Sequence, residues 1–120
     1  MKIVISSQGS ELKSLVDPRF GRASHFIFYD TDDSSFEVID NQQNVFANQG
    51  AGVQAAQNVV KLNPDLVISG NYGPKAFQIL AAAGIKTAIW SEGQVSEAIK
   101  LALDDKLDIA KSANVSGHWK

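Results

Sequence analysis

The chain has 120 residues, of which 44% are hydrophobic and 20% charged, a composition typical of one compact globular domain with its own core. Its formal net charge of -2 argues against bulk attraction to nucleic acid, and no apolar run approaches the roughly 18 residues needed to span a bilayer. Cysteine is absent, which excludes disulfides, thiolate nucleophiles and cysteine-ligated metal sites, and we expect a soluble cytoplasmic protein.

The first forty residues predict three strands. A continuous apolar run at residues 3–5 is typical of a strand buried on both faces. The apolar segments 26–29 and 36–39 flank a polar turn at 30–35, so they predict an antiparallel hairpin. Residues 41–50 are rich in Asn and Gln and predict a loop.

The rest of the chain alternates between helices and strands. From about Gly50 the apolar spacing approaches 3.6 residues, which predicts a helix ended by Asn63 and Pro64. A second helix begins at Gly73–Pro74 and stops at Gly84, and a third begins at Ser91 or Gln94. The strands between these helices are predicted at 66–68 and 85–89.

The element order is β-β-β-α-β-α-β-α, which predicts an α/β fold with a five-stranded mixed sheet. Right-handed crossovers make strands one, four and five parallel, and the hairpin adds strands two and three at the other edge. We therefore predict the order 3-2-1-4-5 with strand two antiparallel, in a single domain over residues 1–107 followed by a polar tail at 108–120. Such sheets bind ligands at the carboxyl ends of the strands, here between strands one and four.

The segment 16–26 reads VDPRFGRASHF and places two arginines, Arg19 and Arg22, in a loop directly before an apolar strand. Each guanidinium is a permanently charged fork of five donors, and the flanking proline and glycine favour a fixed turn. Such a loop can receive an anion. The same residues are also typical of a solvated surface, or of ion pairs with nearby carboxylates.

A second candidate segment, 69–75, reads SGNYGPK and leads from a strand end into a helix. Free backbone N–H groups and the positive end of a helix dipole favour an anion there, and Lys75 would add a charge. The spacing matches neither a P-loop nor a dinucleotide fingerprint. A plain strand-to-helix turn explains the segment equally well.

Three segments together resemble the dinitrogenase iron-molybdenum cofactor biosynthesis family: DPRFGRA at 17–23, GAGVQAA at 50–56, and VISG at 67–70 with the residues that follow. The resemblance covers roughly residues 2–107. It implies a ribonuclease H-like three-layer fold and a non-enzymatic carrier of a preassembled metal-sulfur cluster. Orange proteins, one branch of this family, hold a molybdenum-copper sulfide cluster without covalent attachment, so the cargo implied here is that cluster or an iron-molybdenum cofactor precursor.

The resemblance also implies a site. Arg19 and Arg22 would be the charge partners of the anionic cluster, with Lys75 as an additional cation. Backbone amides would form the rim and a third wall, the rim from Gly70, Asn71, Tyr72 and Gly73 and the wall from Gly50 and Gly52.

Some family members carry a histidine or cysteine just before the Gly-Ala-Gly helix start, where this chain has Asn48 and Gln49. We therefore expect no direct metal ligation, with His25 the single candidate near the site and a satisfied strand residue as its alternative. The fold also hosts nucleases, but the first strand lacks the acid that they need for magnesium. A regulatory module for another anion, or for a MinD-type ATPase that the resemblance makes a plausible partner, is left open, as is a cluster donor or acceptor protein.

Overall fold

The computed structural model describes residues 1–41 and 50–113. Their elements follow the predicted order and add one strand, and we number them along the chain. The strands are β1 (Lys2–Ser7), β2 (His25–Asp30), β3 (Ser35–Asp40), β4 (Leu66–Ser69), β5 (Lys86–Ile89) and β6 (Asp108–Ile109). The helices are α1 (Ala51–Leu62), α2 (Pro74–Ala82) and α3 (Val95–Leu103). The predicted loop at 41–50 lies, except for its two end residues, outside the described part.

The strands form one mixed sheet in the order β3-β2-β1-β4-β5-β6. β1, β4 and β5 run parallel, while β2 pairs antiparallel with β1 and β3. The predicted order of the first five strands and the direction of strand two are therefore confirmed. The carboxyl ends of β1 and β4 lie side by side at one edge of the sheet, where the winding direction changes.

The predicted count of five strands is wrong. Residues Asp108 and Ile109, predicted to belong to a polar tail, form the two-residue strand β6 and pair antiparallel with Ile89 and Ala88 of β5. Ala110 extends the contact, since its N–H donates to Thr87 O at 2.6 Å. A segment this short carries no periodic signal, and its pairing depends on an edge of β5 that is available only in the folded sheet.

Helices cover both faces of the sheet because the buried strands are apolar on both sides. On one face α1 and α2 pack over Val4 and Val67, and on the other α3 packs over Ile5 and Ile68. The result is an α/β/α arrangement with two apolar clusters separated by the sheet. The more specific ribonuclease H-like assignment stays a prediction.

The helix ends follow the predicted signals. Asn63 caps α1 in the left-handed region with φ of 53°, and Gly84 takes φ of 77° just after α2. Gln94 begins α3 through a capping box, because its side chain accepts from the N–H of Glu97 while the Glu97 carboxylate accepts from the N–H of Gln94. Within the described ranges, no helix is long and apolar enough to cross a membrane.

Candidate functional site

Residues 17–22, which we call the arginine loop, begin on the ends of two neighbouring strands. The N–H of Asp17 donates to Ser6 O at 2.9 Å. Asp17 O accepts from Ser6 Oγ at 2.6 Å and from Ser69 Oγ at 3.3 Å. Both serines are fully buried. The backbone of Asp17 is therefore fixed to β1 and to β4, and the loop starts from the point where the winding direction changes.

The side chain of Asp17 turns the loop and positions the first arginine. Its Oδ1 accepts from the N–H of Arg19 at 2.9 Å, an Asx turn, and from Nε of the same arginine at 3.4 Å. The Asp17 side chain is 5% exposed, whereas that of Arg19 is 52% exposed. One edge of the guanidinium thus faces Asp17 and the other is directed outward.

The loop after β4 holds the arginine loop from its other side. Asn71 Nδ2 donates to Pro18 O at 2.9 Å, and the N–H of Phe20 donates to Asn71 O at 3.3 Å. A Cβ added to Gly70 would lie 2.9 Å from the Cα of Pro18, so only glycine allows this close approach. Gly70 and Asn71 therefore contact the arginine loop directly.

An aromatic cluster lies beneath the arginine loop. Phe20 is buried, with its ring centroid 5.2 Å from that of Phe26 and 5.5 Å from that of Tyr72. These distances are typical of favourable aromatic pairs. Phe20 thereby anchors the loop between its two arginines to the core under α1 and α2.

The side chain of Tyr72 belongs to this core. The residue is completely buried, and its hydroxyl lies 2.8 Å from Ala88 O and 3.2 Å from Val67 O. Desolvation by burial raises the pKa of Tyr72 well above its ordinary value of 10.0. Its side chain thus contributes packing and a buried hydrogen bond, while the part of its backbone amide in the rim stays a prediction.

The arginine loop also touches the start of α1. A Cβ added to Gly21 would lie 2.8 Å from both Cα and N of Gly52, so the two backbones are in direct contact. α1 begins after Gly50, which has φ of 80° and leaves the helix without a side-chain cap or an acid in its first turn. The positive end of the helix dipole therefore lies beside the loop that carries the two arginines.

α2 begins at the same edge of the sheet. Gly73 precedes Pro74 at its first position and provides no side-chain cap, and a Cβ on Gly73 would meet nothing within 4 Å. Lys75 is exposed in the first turn. The structure thus brings both predicted helix starts to the edge that carries the arginine loop, with open space above Gly73.

A pocket of about 380 Å³ opens beside the arginine loop. Its lining residues in the described part are Gln8, Asp17, Pro18, Arg19, Arg22 and Ser24. Both predicted arginines are among them, whereas the predicted glycines, Asn71, Tyr72 and Lys75 are not. Gln8 directly follows β1 and Ser24 directly precedes β2, so the pocket extends from the arginine loop toward the paired ends of these two strands.

Sequence reasoning did not assign Gln8, Asp17 or Ser24 to the site. Asp17 could have been recognised, because aspartate often forms an Asx turn, in which its side chain accepts a hydrogen bond from the N–H two residues later. Gln8 and Ser24 come together only because β1 and β2 pair antiparallel, and Ser24 Oγ lies 3.3 Å from Gln8 O. That proximity has no local sequence signal.

His25 lies next to the pocket but does not line it. Its Nδ1 is 2.9 Å from Ser24 Oγ, and the residue is half-buried at the start of β2. Over residues 1–41 and 50–113 there is no group of three or more His, Cys, Asp or Glu side chains that could hold a metal ion. The side chains that line the pocket are those of two arginines, an aspartate, a proline, a glutamine and a serine.

Comparison with known proteins shows which family and which solved structures the chain resembles. The family model for dinitrogenase iron-molybdenum cofactor proteins matches residues 1–105. The apo orange protein from Desulfovibrio gigas is 37% identical, with a TM-score of 0.91 over 95% of this chain and 96% of the other. A Thermotoga protein of the DUF35 family is 33% identical, with a TM-score of 0.82 over 95% and 97% of the two chains. An uncharacterized protein of Methanocaldococcus jannaschii is 26% identical over 110 residues, 90% of each chain.

Proposed function

The chain belongs to the dinitrogenase iron-molybdenum cofactor family, and from this membership we propose that it is a non-enzymatic carrier of a preassembled, anionic molybdenum-sulfur cluster. The cluster is its cargo and is held without covalent attachment. The similarity to an orange protein over nearly the full length of both chains favours this cargo. A molybdenum-copper sulfide and an iron-molybdenum cofactor precursor are the two forms that we propose, in a protein of the cytoplasm.

The observation that carries the proposal is the presence of Arg19 and Arg22 in one pocket at the carboxyl end of β1. The outer atoms of a metal-sulfide cluster are sulfides that carry negative charge. Guanidinium groups donate charge-assisted hydrogen bonds to such atoms, and they do so without replacing any ligand of the metal. Two arginines at one pocket therefore match the charge of the cargo.

The donor set of the described site fits a cluster that arrives complete. The sequence has no cysteine, so no thiolate can assemble or ligate a cluster. The start of α1 at Gly50 and Gly52 lies against the arginine loop and adds the positive end of a helix dipole. We propose that Gly73 and Lys75, at the start of α2, extend the positive surface at the same edge.

Three of the expected rim residues take an additional part in this proposal. Gly70 and Asn71 hold the arginine loop in place through Pro18, and Tyr72 supports it from below through Phe20. These three residues would thus affect cluster binding through the position of the loop. His25 is proposed as a strand residue satisfied by Ser24 rather than as a metal ligand.

Reconstitution tests the proposal. The protein is mixed anaerobically with tetrathiomolybdate and a copper salt, desalted, and analysed for molybdenum, copper and visible absorbance. A carrier of this kind should retain a coloured complex with a fixed ratio of metal to protein. Loss of the colour on desalting, together with protection against thermal unfolding by phosphate or a nucleotide, would instead indicate a binding module for another anion.

A cluster donor or acceptor protein is the partner that this function requires. No contact of the described residues bears on a MinD-type ATPase, so that partner stays a prediction from the resemblance. The reconstitution can be repeated with such an ATPase present. A change in the amount of metal retained per protein would support this partner.

A further inference from the structure

An acidic residue is among those that line the pocket with both arginines. Asp17 lines it, although a negative side chain repels an anionic ligand. The charged residues of the described lining are Arg19, Arg22 and Asp17, which leaves a net charge of +1. A pocket built only to hold an anion as tightly as possible would not keep an aspartate there.

The position of this carboxylate is fixed by the fold. The backbone N–H and carbonyl of Asp17 are bound to Ser6, and the carbonyl also accepts from Ser69. Ser6 is the penultimate residue of β1 and Ser69 is the last residue of β4. On this fixed backbone, the carboxylate is held in place by its hydrogen bonds from the N–H and Nε of Arg19.

The two carboxylate oxygens of Asp17 have different surroundings. Oδ1 accepts from the N–H and from Nε of Arg19. Oδ2 accepts no hydrogen bond from the described residues. In the same part of the chain no fully buried side-chain oxygen or nitrogen lacks a partner, so Oδ2 is not fully buried, although the Asp17 side chain as a whole is only 5% exposed. Asp17, which carries this oxygen, lines the pocket.

We propose that Asp17 sets how readily the cargo leaves: it positions Arg19 and offsets one positive charge, so that the anionic cluster is held weakly enough to be passed on. This inference rests on the proposed carrier function. A carrier must release its cargo to a recipient, and a fixed carboxylate lowers affinity by increasing the dissociation rate. Asp17 acts partly through Arg19 and is a positioning residue in that respect.

The substitution Asp17→Asn separates the two roles. Asparagine retains a side-chain oxygen that can accept from the N–H of Arg19, so the Asx turn is preserved. The negative charge is removed, and the net charge of the described lining rises from +1 to +2. Asp17→Ser is a second neutral variant with a short acceptor, which keeps the test valid if the asparagine variant fails to fold.

Two probe anions of the same shape make the test specific to charge. Tetrathiomolybdate carries two negative charges and tetrathiorhenate carries one, and both are tetrahedral with sulfide on the outside. The repulsion by Asp17 scales with the charge of the ligand, so we expect the neutral variants to bind the monoanion about three-fold more tightly and the dianion about ten-fold more tightly. Glu37→Gln, which removes the same charge from an exposed position on β3, is the matched control.

The measurements are dissociation constants and dissociation rates of each probe for the wild type, the two Asp17 variants and the control. Slower dissociation from the Asp17 variants, with a larger gain for the dianion, supports the inference. Unchanged or weaker binding by the folded variants overturns it, because a merely structural role for Asp17 can only lower affinity. The proposed function fails separately, if the wild-type protein retains no cluster in the reconstitution.

Discussion

Asn71 holds Pro18 across the edge of the sheet, with Nδ2 of the asparagine 2.9 Å from the proline carbonyl oxygen. The two residues are 53 positions apart in the chain, and their contact joins the arginine loop to the loop after β4. The position of Arg19 therefore depends on a residue that does not line the pocket.

Replacing Asn71 by alanine should free the arginine loop on this side. Loss of the hydrogen bond to Pro18 is expected to cost about 1 kcal/mol of unfolding free energy. We expect the loss of cluster affinity, expressed as a free energy, to be larger than this cost. Urea unfolding and desalting after reconstitution measure the two effects. Asn58→Ala on α1, which removes an exposed contact with Gln54, should leave retention unchanged. Normal retention by the Asn71 variant would show that the loop holds its position alone.

Glycine at position 21 should be required by the contact with α1. A Cβ there would lie 2.8 Å from backbone atoms of Gly52, so Gly21→Ala must push the loop away from the helix start and is expected to cost about 1–3 kcal/mol. Gly52→Ala is the matched control, because its Cβ would meet Ala76 at an ordinary distance of 3.5 Å. Equal unfolding free energies for the two variants would contradict the close contact.

Phe20 is expected to affect stability before binding. Its side chain is buried between Phe26 and Tyr72, and Phe20→Ala should cost about 3–5 kcal/mol through the cavity that it leaves. Thermal and urea unfolding measure this loss. A stable Phe20→Ala protein with impaired retention would instead place Phe20 in direct contact with the cargo.

Because Tyr72 is buried, we expect the folded protein to lose stability at high pH. Its pKa is raised well above 10.0 in the folded protein because burial desolvates the phenolate, so the unfolded chain loses this proton first. The contribution of Tyr72 to the unfolding free energy is constant below pH 10.0 and falls as pH rises above it, by up to about 1.4 kcal/mol per pH unit.

Comparison with Tyr72→Phe isolates this effect from other groups that titrate at high pH. The phenylalanine variant should lose about 1 kcal/mol at neutral pH, from the missing hydroxyl, and should lack the extra fall in alkali. Urea unfolding at several pH values measures the difference. Parallel curves for the two proteins would contradict the buried, neutral state of Tyr72.

The sheet was largely predictable because its central strands carry their signal locally. Val4 and Val67 lie in uninterrupted apolar runs, and Asn63 and Gly84 end helices by local backbone preference. The two residues of β6 carry no such signal, because their pairing depends on the folded edge of β5.

The two arginines of the candidate site were predictable from the sequence, but the geometry of the site was not. Arg19 and Arg22 are visible as charges in a turn, and both line the pocket. The geometry depends on contacts between segments about fifty residues apart. Pro18 packs against Gly70, and Tyr72 lies beneath Phe20. Such contacts leave no periodicity in either segment, so the rim and the pocket could not be assigned from sequence.

The central claim is that the arginine loop holds the cluster by charge, and the double variant Arg19→Ala/Arg22→Ala tests it most directly. Lys61→Ala/Lys106→Ala, which removes two exposed charges elsewhere, is the matched control. After anaerobic reconstitution with tetrathiomolybdate and copper, the molybdenum retained per protein is measured on desalted samples. We expect the arginine variant to remain folded and to lose at least about ten-fold in affinity, while the lysine control retains cluster as the wild type does. Equal molybdenum in the arginine variant and the wild type would contradict the claim.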